Sequence, residues 1–341
     1  MNYKVLITLC LWCGVVSAQI KTSDLYGSWV SSKVSYLSGD ELPDENILKT
    51  TYVKHTFQAP NKIFTSGIYY DLGRENVFDV SGDRINIRSA EGSIMNTMRV
   101  LEVNQDRLVI VQASMHGLTD PSAIKYTFVK ETTLQNNLPF TQTDLFRVLG
   151  RDTLYNSGQK IYAQFIGPSF EEYISYNLYK KGISTRTGEL LASFIVNANG
   201  IADSLKILQG INPKYDKVYS EIFNSARKKW RAATLNGKAV PVLMRQRMKY
   251  FTSDEAIPSY FDGQKANRAY NQENYELALF YYDRALESRP EEVEYLYKRG
   301  ICKQKLGNLE GACTDWRMVK ALGAQEADQL LSKFCQNKTL N

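Results

Sequence analysis

The sequence predicts a multidomain α+β chain in three parts, and three patterns carry that prediction. Residues 19–131 fall into short alternating segments separated by turn residues, the signature of an all-β barrel or sandwich. Residues 159–253 combine a hairpin, a helix and a further strand. Residues 256–337 show a purely helical apolar period that recurs with an offset of 34 residues. With 341 residues, 43% of them hydrophobic and 12% aromatic, the chain has enough apolar material for two or three packed cores.

Residues 1–18 read as a secretory signal. Lys4 precedes an apolar core from Val5 to Val16, and Val16-Ser17-Ala18 has the small residues of a cleavage site. The core is about 12 residues, short of the roughly 20 needed to cross a bilayer. Cys10 and Cys13 lie inside this segment, and Cys13 follows Trp12, which does not suit lipidation. The formal charge of +6 loses Lys4 on cleavage, leaving +5 spread along the chain with no basic cluster interleaved with aromatics. A nucleic-acid partner is therefore not expected. The expected location is the periplasm or the outer-membrane face of the cell envelope.

In the β region, residues 52–57, 68–70, 84–88, 97–103, 107–111 and 124–129 alternate as strands do. Leu25-Tyr26-Gly27-Ser28-Trp29 at its head resembles the opening Gly-x-Trp of lipocalin-like barrels, in which the Trp plugs the closed end. That resemblance implies a carrier of a small apolar ligand as one function. A barrel this small can equally be packed solid. Residues 132–158 are polar and read as a connector with room for one leading strand.

In the central part, two apolar runs rich in β-branched and aromatic residues flank Asn199-Gly200, a pair suited to a tight hairpin turn. Asn212 is a candidate N-cap and Pro213 a first helical residue. Tyr215, Val218, Tyr219, Ile222, Phe223, Ala226 and Trp230 then follow at helical spacing. Ser169-Phe170-Glu171-Glu172 has the spacing of a capping box, and Gly182 ends the helix it opens. From Val240 to Phe251 the period is that of a strand, with Pro241 early in it, which suits an edge.

This order of elements, about residues 159–251, resembles the C-terminal domain of TonB-type energy transducers. The hairpin matches that family's strand, Asn-x-x-Gly, strand core, and Trp230-Arg231-Ala232-Ala233 with Asn236-Gly237-Lys238-Ala239-Val240 matches its Trp-x-Pro-Ala and Asn-Gly-Lys-x-Val passage. Ala232 stands where the family has Pro, and the transducers' anchor helix and Pro-rich spacer have no counterpart here. The resemblance implies that a partner peptide adds beside an exposed strand. Arg245, Arg247 and Lys249 share one face of the 240–251 strand, so the guest would be acidic, unless these cations only protect an edge. An energy-transducer-like role in outer-membrane transport is a further implication.

In the C-terminal part, Ala278 aligns with Ala312 and Tyr282 with Trp316, and the small residues Ala266 and Gly300 recur twelve positions earlier. The period and these residues resemble tetratricopeptide repeats. That family implies a concave face formed by the first helix of each pair, here bearing Tyr260, Asn267, Tyr270, Tyr297, Ile301 and Gln304. Two repeats and a last helix from about Gln325 to Cys335 fall short of the usual three, so the array is expected to lean on its neighbour. Cys302, Cys313 and Cys335 are the cysteines beyond the signal. In an oxidising compartment one pair bonds, Cys313 with Cys335 being favoured and Cys302 with Cys335 the alternative.

His55 and His116 are the two histidines, without acids or cysteines at ligand spacing, and the catalytic and phosphate-binding motifs that would support an enzyme are absent from the sequence. No cofactor or metal is expected. The expected function is that of an exported, non-enzymatic envelope protein that binds a protein or peptide partner. Cleavage after Ala18 is expected to give a mature chain beginning at Gln19. N-terminal sequencing of the exported protein checks this, and Met1 retained in a membrane fraction would contradict it.

Overall fold

The computed structural model describes residues 20–335 except 45, 90, 150–151, 184–186 and 251–257. The signal, residues 1–18, lies outside the described residues. The described chain divides into two compact units, one made of residues up to 51 with 55–63 and 75–130, the other of 52–54, 64–74 and everything from Glu131 on.

In the first unit a short helix α1 (Thr22–Leu25) precedes eight strands: β1 (Gly27–Tyr36), β2 (Lys54–Gln58), β3 (Lys62–Ser66), β4 (Arg74–Ser81), β5 (Arg84–Arg88), β6 (Ile94–Val103), β7 (Arg107–Gln112) and β8 (Ile124–Lys130). They pair in sequence order and β8 returns antiparallel to β1, with Trp29 opposite Lys130 and Tyr36 opposite Ile124, so the sheet closes into a lipocalin-like barrel. Closure removes every free edge. Trp29 is fully buried, its indole N–H donating to Leu25 O at 2.6 Å. Lys130 Nζ stands 3.5 Å from the Trp29 ring centroid and donates to Tyr26 O at 3.0 Å. The Gly-x-Trp segment thus ties α1 to both closing strands.

The sequence misplaces one strand here and misses three. Residues 68–70 form a turn. The Ser66 hydroxyl accepts from Ile68 N–H at 2.9 Å and donates to Asp71 Oδ1 at 3.0 Å, so local side-chain bonds replace a ladder. Strands β1, β3 and β4 lack clean alternation because much of their outward face is Ser, Lys, Arg and Glu, and chain closure supplies their order.

The second unit is built on a five-stranded sheet. Helix α2 (Glu131–Asn137) leads into β9 (Leu145–Leu149) and β10 (Asp152–Asn156), then the short β11 (Gln164–Phe165), helix α3 (Phe170–Lys180), β12 (Gly188–Val196), β13 (Ala202–Gln209) and helix α4 (Pro213–Ala226). The short strands β14 (Trp230–Arg231), β15 (Ala233–Leu235) and β16 (Lys238–Val240) come next, followed by β17 (Val242–Tyr250). The sheet order is β13-β12-β17-β10-β9. Residues 145–156, expected to be largely connector, therefore supply two of its strands. Likewise β17, expected at an edge, lies inside the sheet. It runs antiparallel to β12 over its whole length and parallel to β10 at Tyr155↔Val242 and Asn156↔Leu243. Pro241 separates β16 from β17 rather than lying within one strand.

Local chemistry explains the helices of this unit. The Asn212 side chain accepts from Tyr215 N–H at 2.9 Å and Pro213 opens α4. The Ser169 hydroxyl accepts from Glu172 N–H at 3.2 Å to cap α3. Between β12 and β13 the turn runs over residues 197–201 rather than through a two-residue loop. The Asn197 side chain accepts from Asn199 and Ile201 N–H, and Gly200 takes φ +73° where a β-carbon would stand 2.7 Å from Trp230 O.

Strand β12 is buried nearly throughout because the sheet is covered on both faces. Leu190, Ala192, Phe194 and Val196, with Val242, Met244 and Met248, pack under Ile174 and Leu178 of α3 and Tyr219, Ile222 and Phe223 of α4. On the other face Leu243, Leu154 and Phe146 meet helices of the C-terminal part: α5 (Pro258–Asn271), α6 (Tyr275–Ser288) and α7 (Val293–Lys305). Two further helices, α8 (Leu309–Ala321) and α9 (Asp328–Phe334), continue the array. Asn274 and Asn308 cap α6 and α8 in the same way, each accepting the N–H three residues on. At Gly300 the missing side chain leaves the space that the Trp316 indole fills.

Glu189, buried on the helix-facing side of β12, fastens these layers. Its carboxylate takes an ion pair from Arg247 of β17, another from Lys265 of α5 at 3.1 Å, and the Tyr281 hydroxyl of α6 at 3.0 Å. Burial alone would raise this carboxyl, but the Arg247 and Lys265 contacts outweigh it and bring it down to about 2. Glu189→Gln is expected to cost about 1.5–3 kcal/mol near neutral pH, the scale of hydrogen bonds to a charged group. A carboxyl whose folded value lies below its ordinary 4.5 favours folding above that pH, and the contribution fades as the pH falls toward 2. Thermal melts of wild type and variant should converge across that window; an undiminished gap at pH 2 would refute the anchoring role.

Candidate functional site

The cations singled out on the 240–251 strand face the helices rather than solvent. Arg247 is held by Glu189, and its guanidinium lies 6.0 Å from the Phe280 ring of α6. Arg245 donates to Asn156 Oδ1 at 3.3 Å and lies 5.8 Å from the Phe146 ring. Burial lowers its pKa from the ordinary arginine value, opposed by the nearby Asp283. A cavity of about 50 Å³ beside it is lined by Asn156, Asp283, Lys303 and Asn308. Lys249 sits opposite Glu189 on the same face of the sheet. The expected acidic guest of this strand is thus replaced by the chain's own helices, and its flank by β10. Alternation shows that three cations share a face, but not what covers it.

The residues expected on the first helices of the repeats are brought together. Asn267 and Tyr270 of α5 meet α7 through Glu294 and Lys298, on the helix that also carries Tyr297, Ile301 and Gln304, and all five are partly exposed. Asn267 Oδ1 accepts from the Tyr282 hydroxyl at 2.6 Å and from Lys298 Nζ at 3.0 Å, while its Nδ2 donates to Glu294 at 3.2 Å. Tyr270 packs edge-on to Tyr275 and Tyr282, with Lys298 Nζ 5.6 Å above its ring. Every one of these partners is on a helix. Tyr297 and Ile301 rest on the core formed by Leu296, Ala312, Trp316 and Val319. Tyr260 is on the first turn of α5, and its side chain lies outside the described residues. Lys298 and Glu294, which complete this face, escaped notice in the sequence because an i,i+4 ion pair on a helix looks like ordinary surface.

The second unit, to which residues 52–54 and 64–74 belong, also assembles a polar cluster that the sequence does not signal. Lys54, fully buried, donates to Tyr69 O at 2.8 Å and pairs with Glu131 at 3.1 Å, and Glu131 also accepts from the Tyr162 hydroxyl at 2.5 Å. Burial, then the Glu131 charge, pushes Tyr162 well above the ordinary phenol range. Each member is satisfied within the cluster, the pattern of a structural ion pair.

In the barrel, large side chains fill the interior: Phe57 and Phe78 stand 5.1 Å apart, as do His55 and Phe128. Burial pushes His55 down to about 4, so it is neutral at ordinary pH. Among the described residues, no group of three or more His, Cys, Asp or Glu is placed to hold a metal, and no helix is long and apolar enough to cross a membrane.

No protein-family model and no curated protein matches the chain.

Cys313 and Cys335 are bonded, joining α8 to the end of α9 across 22 residues, while Cys302 is a buried free thiol that burial pushes up to about 12. The alternative pairing through Cys302 is excluded. Loss of the link by Cys313→Ser should lower stability by about 3 kcal/mol under oxidising conditions and have little effect after reduction. Differential scanning calorimetry with and without reductant checks this. Native alkylation should leave Cys302 unlabelled; rapid labelling would contradict its burial.

Proposed function

We propose that the protein is an exported, non-enzymatic component of the cell envelope that binds a protein partner, with the α5 and α7 face as its docking surface. The observation that carries this reading is the division of labour in the second unit. The basic strand face is consumed by contacts within the chain, whereas among the described residues Asn267 and Tyr270 bond and pack with α6 and α7, Tyr297 and Ile301 rest on the α7 and α8 core, and these four with Gln304 stay partly exposed. A face that mixes aromatic and amide side chains suits a peptide, since rings give area at little entropic cost and amides satisfy backbone groups. The tetratricopeptide-like period supports the same use of the same helices. The TonB-like order of β12, β13, α4 and β17 supports placement in the envelope. The sheet serves here as the platform of the array, and a part in transport energetics is not included in the proposal.

The test begins with pull-down of the mature chain from envelope extract and identification of the partner by mass spectrometry. Tyr270→Ala with Tyr297→Ala is expected to weaken the purified partner's binding at least tenfold, about 1.4 kcal/mol, with the circular dichroism spectrum retained. A change below twofold in a variant that still folds would end this reading. Carrying the same partner affinity on the isolated barrel would move the function to the first unit.

A further inference from the structure

A second surface lies at the far edge of the sheet, where β9 is the terminal strand and faces no other strand on its outer side among the described residues. Beside it runs a trough of about 670 Å³ lined by Leu145 and Val148 of β9, the turn before α8, Leu309, Glu310, Cys313 and Arg317 of α8, and the segment Lys333 to Cys335. The Cys313–Cys335 bond holds the far wall in place. Two aliphatic side chains along the trough are exposed, Val148 at 49% and Leu309 at 43%. The Leu145 carbonyl at the start of β9 accepts from the Asn308 side chain at 2.7 Å, and beyond it the strand edge faces the trough beside exposed apolar side chains, the arrangement that receives an extended segment whose backbone continues the ladder.

The charges around the trough select the guest. Arg317 and Lys333 line it, and Arg147 lies along its rim, with its Cγ 3.1 Å from where a β-carbon on Gly307 would stand. Among the described residues none of these three has an ion-pair partner, whereas Lys298, Arg299, Lys303 and Lys320 of the neighbouring helices each hold a carboxylate. Glu310, the carboxylate of the lining, accepts from the Gln142 side-chain amide and keeps its negative charge. Set against the one carboxylate of the lining, Glu310, and the Phe334 ring 5.1 Å from Lys333 Nζ, the three cations still leave the trough net positive, which matches a segment that alternates acidic and apolar residues.

We propose that this trough binds an extended acidic segment of a partner protein, which adds as a sixth strand beside β9 with its carboxylates toward Arg317 and Lys333. The site is separate from the α5 and α7 face, and its test does not depend on that reading.

The experiment uses the full mature chain and fluorescein-labelled peptides of alternating Glu with Val or Leu, read by fluorescence anisotropy. Three comparison peptides have Lys in place of Glu, N-methyl groups on alternate amides, or scrambled order. The acidic peptide should bind, and the Lys peptide should bind at least tenfold more weakly. N-methylation on the pairing edge should abolish binding, because the ladder cannot form. Arg317→Glu with Lys333→Glu should weaken the acidic peptide at least tenfold while the melting temperature stays unchanged, and Tyr270→Ala with Tyr297→Ala should leave it unaffected. Equal binding of the N-methylated peptide, unchanged binding to the charge-reversed variant, or no binding of any peptide would each overturn the proposal. Sedimentation of the protein alone is the remaining arm: a dimer that the charge reversal dissociates would make the occupant a second copy of this chain and overturn the partner assignment.

Discussion

Coverage of the five-stranded sheet on both faces is the constraint from which the second unit follows. A strand such as β12, buried from Glu189 to Phe194, cannot send its polar neighbours to water, so each must find a partner between layers. Glu189 meets this demand with two cations and a tyrosine hydroxyl. Gln246, on the α4 side of β17, meets it in part: its Oε1 accepts from the Tyr219 hydroxyl at 2.7 Å, while its buried Nε2 has no partner among the described residues. These bonds set which helix lies over which strand, because apolar contact alone would tolerate sliding. The helical array in turn gains a platform: Ala266, Ala278 and Tyr282 share one core with Leu243 and Phe146, so two helical pairs stand where isolated arrays need three.

Much of this was legible in local chemistry. Asn212-Pro213 announces α4, Ser169 announces α3, and the alternation of 84–88, 107–111 and 124–129 marks barrel strands, because caps and periods depend on residues a few positions apart. The offset between Ala278 and Ala312 located the paired helices, and Gly300 marked where one helix approaches the next. What stayed hidden depends on distant partners. Strands β9 and β10 are five residues each and carry Arg147 and Asp152, so nothing in their composition separates them from a connector, and β10 finds its partner at Val242. The same holds for the candidate site. Arg245, Arg247 and Lys249 read as a free basic face because a period of two reports which residues share a side, while only the tertiary fold reports that α5 and α6 occupy it.

The two surfaces left open differ in kind. The α5 and α7 face is a set of side chains on rigid helices, prearranged by Asn267, Lys298 and Glu294, whereas the β9 trough offers backbone groups as well as side chains. On the readings proposed above, a guest of the first would be recognised by shape and amide contacts, and a guest of the second by its ability to become extended. Both rest on the same sheet.

The parallel pairing of β10 with β17 has a consequence for how the chain is made. Residues 155–156 leave the ribosome well before residues 242–243, with β12, β13 and α4 between them, so the β9–β10 hairpin must wait for a partner that does not yet exist. Closing so long a loop is a slow, entropically costly step. During that interval the hairpin's edges are bare. Arg147 on β9 then matters most in the seconds of synthesis, as a safeguard against strand capture by neighbouring nascent chains.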